Sequence, residues 1–172
     1  CNAGGVMQYV FTALYGLVTR GTGVLSPDPD GIWAQGRTFG VIGVGHVGSR
    51  VACLAEALGY RVLRCDPPRE KAEYGEALAC SPFVDLETLL AESDVVTVHV
   101  PLDETTRGMI GDAFLAAMKP RAILINSSRG PVAEASALIR ARTQGRLGGL
   151  VLDVWPGEPD LDEDLLACAD VA

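Results

Sequence analysis

Residues 38–66 constrain this chain more than any other stretch. They hold an apolar run (38–43), the hexapeptide Gly43-Val44-Gly45-His46-Val47-Gly48, a segment with helical spacing (47–58) and a second apolar run (60–65) that ends at Asp66. Two apolar runs of strand length around a helix-length segment predict a βαβ unit with parallel strands. The hexapeptide reads G-x-G-x-x-G and falls at the strand-to-helix turn, which is where its mechanism operates. The first glycine permits the tight turn, the second lets a pyrophosphate reach the backbone, and the third lets helix and strand pack closely. Phosphate oxygens then meet free N–H groups at the positive end of the helix, so Gly43, Gly45, His46, Val47 and Gly48 are the expected phosphate cradle. His46 is expected to face solvent or phosphate and to take no part in the chemistry. Asp66 lies 18 residues beyond Gly48, near the roughly 20 at which a carboxylate bonds an adenosine ribose. A carboxylate there repels a 2′-phosphate, so the expected cofactor is NAD rather than NADP.

The same alternation runs on through the chain. A short strand at Phe83 and Val84 is expected next, followed by a helix capped by Asp85 and running to residue 92, and by a strand over 95–100 stopped by Pro101. Further on, an Asp112-capped helix reaches residue 118, a strand covers 122–126, a helix covers about 132–143, a strand 149–154 and a helix 161–167. Val171 reads as the start of another strand. Near-continuous Val, Ile and Leu runs separated by helices imply strands buried on both faces, hence a doubly wound parallel α/β sheet in three layers. The 172 residues form one domain on length alone. Residues 1–36 read as a linking helix and loop: Asn2 caps a helix with Val6, Val10, Leu14 and Leu17 on one face, and five Gly or Pro residues precede Trp33. A first residue of Cys rather than Met suggests an excised piece of a longer chain.

Composition narrows the partners. A formal charge of −8 with no Lys/Arg cluster disfavours nucleic acid and anionic membrane surfaces. No apolar stretch reaches the roughly 18 residues of a spanning helix. The five cysteines (1, 53, 65, 80 and 168) include no C-x-x-C pair, which fits reduced thiols in a cytoplasmic protein and offers no metal-ligand spacing.

In an open α/β sheet, ligands bind outside the carboxyl ends of the strands. Three polar groups follow predicted strands: His99-Val100-Pro101, Asn126-Ser127-Ser128-Arg129-Gly130, and Asp153 with Glu158. Arg129 has the planar fork that grips a carboxylate with two parallel bonds, and Glu158 is a carboxylate able to orient a partner base. Together with Gly36-Arg37-Thr38, Lys119-Pro120-x-Ala122, Thr106-x-Gly108-Met109-Ile110 and Gly157-Glu158-Pro159, these motifs resemble the NAD-binding domain of the D-isomer-specific 2-hydroxyacid dehydrogenases over essentially the whole chain. Cys1-Asn2-Ala3 and Cys65-Asp66-Pro67-Pro68-Arg69 are similar to a member of that family acting on a phosphorylated hydroxy acid, whereas residues 102–108 follow the general family pattern.

The resemblance implies that Arg129 holds the substrate carboxylate and C2 oxygen, Glu158 partners a catalytic His, and Asp153 lies near the nicotinamide amide. It also implies that Val100 and Pro101 touch the dinucleotide through their backbone, beside His99, Ser127 and Ser128. The family His belongs to a later Pro-His-x-x-Gly segment beyond Ala172, and neither His46 nor His99 stands in for it. A small phosphorylated hydroxy acid is the expected substrate, and a homodimer the expected assembly, with the first helix and the Trp33 loop as its apolar surface. Another hydroxy acid, or an NAD-sensing module without turnover, is the alternative.

Overall fold

Five parallel strands form a single sheet in the order β2-β1-β3-β4-β5: β1 (Thr38–Ile42), β2 (Arg61–Cys65), β3 (Val95–Val98), β4 (Ile123–Asn126) and β5 (Gly149–Leu152). The computed structural model describes residues 2–19, 34–70 and 81–170. Cys1, Trp33, Cys80 and Val171 lie outside them, as does most of the 20–36 loop. The chain leaves β1 for β2 on one side and resumes in β3 on the other side of β1. That reversal opens a crevice at the carboxyl ends of β1 and β3, as the doubly wound reading requires.

Both faces are covered. On one, α1 (Ala3–Val18) and α2 (Gly48–Ala57) bring Val10, Leu14, Val51 and Ala55 against Phe39, Val41, Val95, Ile125 and Val151. On the other, α4 (Leu86–Glu92), α5 (Asp112–Ala117), α6 (Ala135–Thr143) and α7 (Glu163–Cys168) bring Leu89, Phe114, Leu138 and Leu165 against Val96, Val98, Leu124 and Leu150. Successive strand residues point to opposite faces, which is why two-sided burial demands unbroken apolar runs. Each fully buried Leu, Ile or Phe side chain contributes about 1.5–3 kcal/mol of transfer free energy. Among the described residues no helix is long and apolar enough to cross a membrane.

The differences from the sequence expectations have local causes. β3 ends two residues early: the His99 N–H still reaches Ile42 O at 2.8 Å, but the chain then turns toward Pro101, which has no N–H to offer a ladder. Likewise β5 stops at Leu152, with the Asp153 N–H retaining its bond to Asn126 O at 3.0 Å. Gly111, not Asp112, takes the cap position of α5, and Asp112 instead pairs with Arg140 at 2.7 Å. α6 starts at Ala135 rather than near 132 because Ile110 and Ala133 form a parallel bridge. That bridge holds the chain extended after a 3-10 turn over Gly130–Val132. Phe83 makes a single parallel bridge to Arg64 in place of a strand. A single turn, α3 (Pro67–Glu70), was not expected; prolines are tolerated in a helix's first turn, where no N–H partner is lost. The side of α1 expected to face a second copy is occupied within the domain, since Val10, Phe11, Ala13 and Leu14 are buried and Phe11 stacks on Phe39.

At the amino ends of the strands one carboxylate joins three of them. Asp94 Oδ2 accepts from the Thr38 N–H at 2.8 Å and Oδ1 from Lys119 Nζ at 2.6 Å, while Asp94 backbone groups bond Thr38 O and the Ile123 N–H. Removing the carboxylate strands a backbone donor at the start of β1. Asp94→Ala is expected to destabilise the domain by about 1–3 kcal/mol, measured by urea unfolding; an unchanged midpoint would show that water replaces the carboxylate without loss.

Candidate active site

The glycine loop is built by close approach. Gly43 has φ of +85°, and a Cβ there would lie 2.7 Å from His99 O. A side chain is thus excluded by both conformation and space. At Gly48 a Cβ would meet Gly43 O at 2.0 Å. The loop leaving β1 is therefore seated directly on the chain leaving β3, with α2 pressed onto the loop. Val47 occupies the cap position of α2 and supplies no side-chain bond to its first turn, leaving the helix end open to an anion. Behind the loop, the Val44 N–H donates to Asp66 Oδ2 at 2.7 Å, which fixes the acid at the end of β2 beside the glycines. Gly45 O accepts from both the backbone and hydroxyl of Ser49, and the exposed His46 contributes its carbonyl to Arg50. A cradle that only glycine fits, an open helix end and a fixed acid together suit a dinucleotide.

Two cavities flank the crevice. One, of about 370 Å³, is lined by Gly43, Cys65, Asp66, Pro67, Val100, Pro101 and Met109 among others. The second, of about 420 Å³, is lined by Val47, His99, Val100, Pro101, Leu102, Ser127, Ser128 and Arg129. Val100 and Pro101 belong to both walls, so an extended ligand crossing the carboxyl edge of the sheet would touch each half in turn.

The second cavity owes its shape to Asn126. This fully buried side chain accepts from the Ser128 N–H at 3.1 Å and from Ser128 Oγ at 2.6 Å, and donates to Arg129 O at 3.4 Å. The Ser128 hydroxyl is therefore turned inward. Arg129 is exposed in the cavity wall, with Nη1 on Ser128 O at 2.6 Å and no carboxylate partner among the described residues. A Cβ on Gly130 would overlap Trp155 O at 1.9 Å, so the Arg129 turn abuts the Trp155 turn. There Glu158 Oε1 accepts from the Trp155 N–H at 2.5 Å. Asp153 and Glu158 are outside the lining of the 420 Å³ cavity, but close enough for Glu158 to raise the Asp153 pKa, after partial burial as the larger cause. Tyr9, reaching from α1, donates to Leu152 O at 3.3 Å; its pKa is raised by burial first and then by Asp153. His99 lies between Thr97 Oγ1 and Ser127 Oγ, 3.0 Å from each.

Residues 17–172 match the family described as D-isomer specific 2-hydroxyacid dehydrogenase, NAD binding domain. The chain belongs to that family. Erythronate-4-phosphate dehydrogenases of Yersinia pestis (strain Pestoides F) and Yersinia pseudotuberculosis serotype O:1b (strain IP 31758) are each 43% identical over 175 residues, covering 99% of this chain and 43% of the relative. The chain thus spans less than half the length of these curated relatives. Among solved structures, D-lactate dehydrogenase with NAD+ from Lactobacillus jensenii superposes with a TM-score of 0.79 at 27% identity, over 98% of this chain and 57% of that one. D-lactate dehydrogenase from Aquifex aeolicus, complexed with NAD and lactic acid, gives 0.79 at 29%, over 99% and 59%. As an NAD-binding domain of the 2-hydroxyacid dehydrogenases, the chain would hold the pyrophosphate at residues 43–48 and the adenosine ribose at Asp66.

Several residues that shape this site lay hidden in the sequence. Asn126 was visible in its motif, but its bracing of Ser128 was not. Thr97 reads as an ordinary strand residue, yet alternation puts it on the same side as His99. Tyr9 is 143 residues from the Leu152 carbonyl it bonds, and no local pattern signals that contact.

Burial lowers the His99 pKa from 6.5 to about 4, so the ring is neutral in the folded domain near pH 7. Between those values the unfolded chain takes up a proton that the folded one refuses, and stability therefore falls as pH drops from about 6.5 toward 4. By pH 5 the loss should be about 2 kcal/mol. Urea unfolding of wild type and His99→Gln at pH 7 and pH 5 measures it: the variant should lose correspondingly less stability over this range. Equal losses would mean that His99 is protonated in the folded state.

Proposed function

We propose that this domain serves an enzyme that oxidises 4-phosphoerythronate at C2 to 2-oxo-3-hydroxy-4-phosphobutanoate with NAD, a step in pyridoxine biosynthesis. The observation that carries the reading is 43% identity to erythronate-4-phosphate dehydrogenases across 99% of the chain. The site supports it chemically, because Arg129 presents a guanidinium without a carboxylate partner among the described residues to a cavity that adjoins the phosphate cradle.

In this reading NAD, when bound, would take up the hydride from C2, and the C2 hydroxyl proton would pass to a base. Arg129 grips the C1 carboxylate and the C2 oxygen, orienting C2 and stabilising the charge that develops as the carbonyl forms. Glu158, held by the Trp155 N–H, is placed to orient an imidazole contributed by residues outside these 172, which also carry the substrate phosphate site. Asp153 would hold the nicotinamide amide, and Asp66 would select NAD over NADP. The domain alone is then expected to bind NADH without turning over, since general acid/base groups typically contribute about 10²- to 10⁴-fold and closure of a substrate domain contributes further.

The test uses a protein extended through the full length of its relatives, assayed with NAD and a panel of 4-phosphoerythronate, glycerate, 3-phosphoglycerate and lactate. Turnover should be fastest with 4-phosphoerythronate. Arg129→Lys should lower kcat/KM by about 100-fold or more, because an ammonium keeps the charge but loses the two-pronged grip that sets C2 in place. Preference for glycerate or lactate would reassign the substrate within the family. NADH binding with no turnover on any hydroxy acid would favour the sensing module.

A further inference from the structure

The hydrogen-bond chain at the carboxyl ends of β3 and β4 has a direction that its geometry fixes. Thr97 is fully buried, and among the described residues its hydroxyl has one partner, His99 Nε2 at 3.0 Å. On the other side of the ring, Ser127 Oγ lies 3.0 Å from Nδ1 and has no second partner among the described residues. A neutral imidazole offers one N–H donor and one acceptor nitrogen. If Nε2 carried the proton, Thr97 would accept, and its own hydroxyl proton would be buried with nothing to receive it. If Nδ1 carries the proton, Thr97 donates to Nε2 and only a lone pair is left bare. An unmet buried donor is the costlier fault.

The second arrangement also decides what Ser127 does. Its oxygen accepts from His99 Nδ1–H, so its own O–H is left to donate into the 420 Å³ cavity that Ser127 lines with Val47, Pro101 and Arg129. We propose that Thr97 and His99 are positioning residues that set the Ser127 hydroxyl as a one-way donor to an acceptor oxygen on the nicotinamide nucleoside half of the bound dinucleotide. That half is singled out because this cavity extends from the open end of α2 to Arg129, whereas Asp66 and the adenosine side belong to the other cavity. The proposal rests on NAD binding by this domain and is independent of which hydroxy acid is oxidised. In the reverse arrangement Ser127 would present lone pairs to the cavity and would repel such an oxygen.

Two measurements on the 172-residue chain test it without turnover. The chain has two histidines, so 15N spectra of histidine-labelled protein, with His99→Gln to assign the lost signals, report which ring nitrogen of His99 carries the proton. The expected result at pH 7 is a protonated Nδ1 and a bare Nε2, whereas a protonated Nε2 or an imidazolium overturns the proposal. Fluorescence titrations with NADH and with ADP then locate the donor. Ser127→Ala should weaken NADH about 3- to 10-fold, the range for one hydrogen bond, and leave ADP unchanged. Thr97→Val, which keeps the shape and removes the donor, should mix the two tautomers and weaken NADH by a smaller factor in the same direction. Equal loss of NADH and ADP, or no loss of either on Ser127→Ala, contradicts the assignment. Failure of wild type to bind NADH would instead defeat the cofactor assignment itself.

Discussion

Everything at the carboxyl edge of this sheet depends on the contact between Gly43 and the carbonyl of His99. A Cβ at Gly43 would sit 2.7 Å from that oxygen, and one at Gly48 would sit 2.0 Å from Gly43 O, so three backbone segments meet with no side chain between them. Because β1 and β3 are neighbours whose connections depart to opposite sides, no helix among the described residues covers the crevice where they end. The contact leaves the start of α2 open above it. A helix end open to phosphate, a fixed acid and a cavity carrying Arg129 are thereby assembled from residues about 20 to 90 positions apart.

Charge is arranged differently at the two edges. At the amino edge, ionic groups are paired and structural: Asp94 with Lys119, and Asp170 with Arg142. At the carboxyl edge the pairing is incomplete. Arg129 has no carboxylate among the described residues, Asp153 and Glu158 repel each other, and His99 is kept neutral by burial. Groups that are unmatched in the folded chain are the ones available to a ligand, which is why a cleft with shifted titration is a functional candidate.

What was legible in the sequence follows from what is local. The βαβ unit, the glycine loop, Asp66 and the parallel three-layer sheet are written in short-range spacing, and each sits where the pattern put it. Boundaries were less legible because tertiary contacts set them: the Ile110–Ala133 bridge delays α6, and Gly111 displaces Asp112 as the cap of α5. The individual members of the second constellation could be named from the sequence, but not how they hold one another. That Ser128 turns inward to Asn126, that Gly130 seats against Trp155, and that Thr97 reaches His99 are properties of packed geometry. The apolar face of α1 is buried as its periodicity requires, but periodicity does not show against what, and within the domain it packs on Phe39 and Val151.

The central claim is that the crevice between β1 and β3, sealed by Gly43 against His99, receives the dinucleotide along its whole length. Backbone amide shifts of the 15N-labelled chain, followed during an NADH titration, test this most directly. The account predicts the largest saturable changes at Gly45, Val47, Gly48, Asp66, Val100 and Ser127, running continuously from one cavity to the other. Changes centred instead on the amino edge, at the cavity lined by Arg121, Arg142, Gly145 and Gly148, would contradict it.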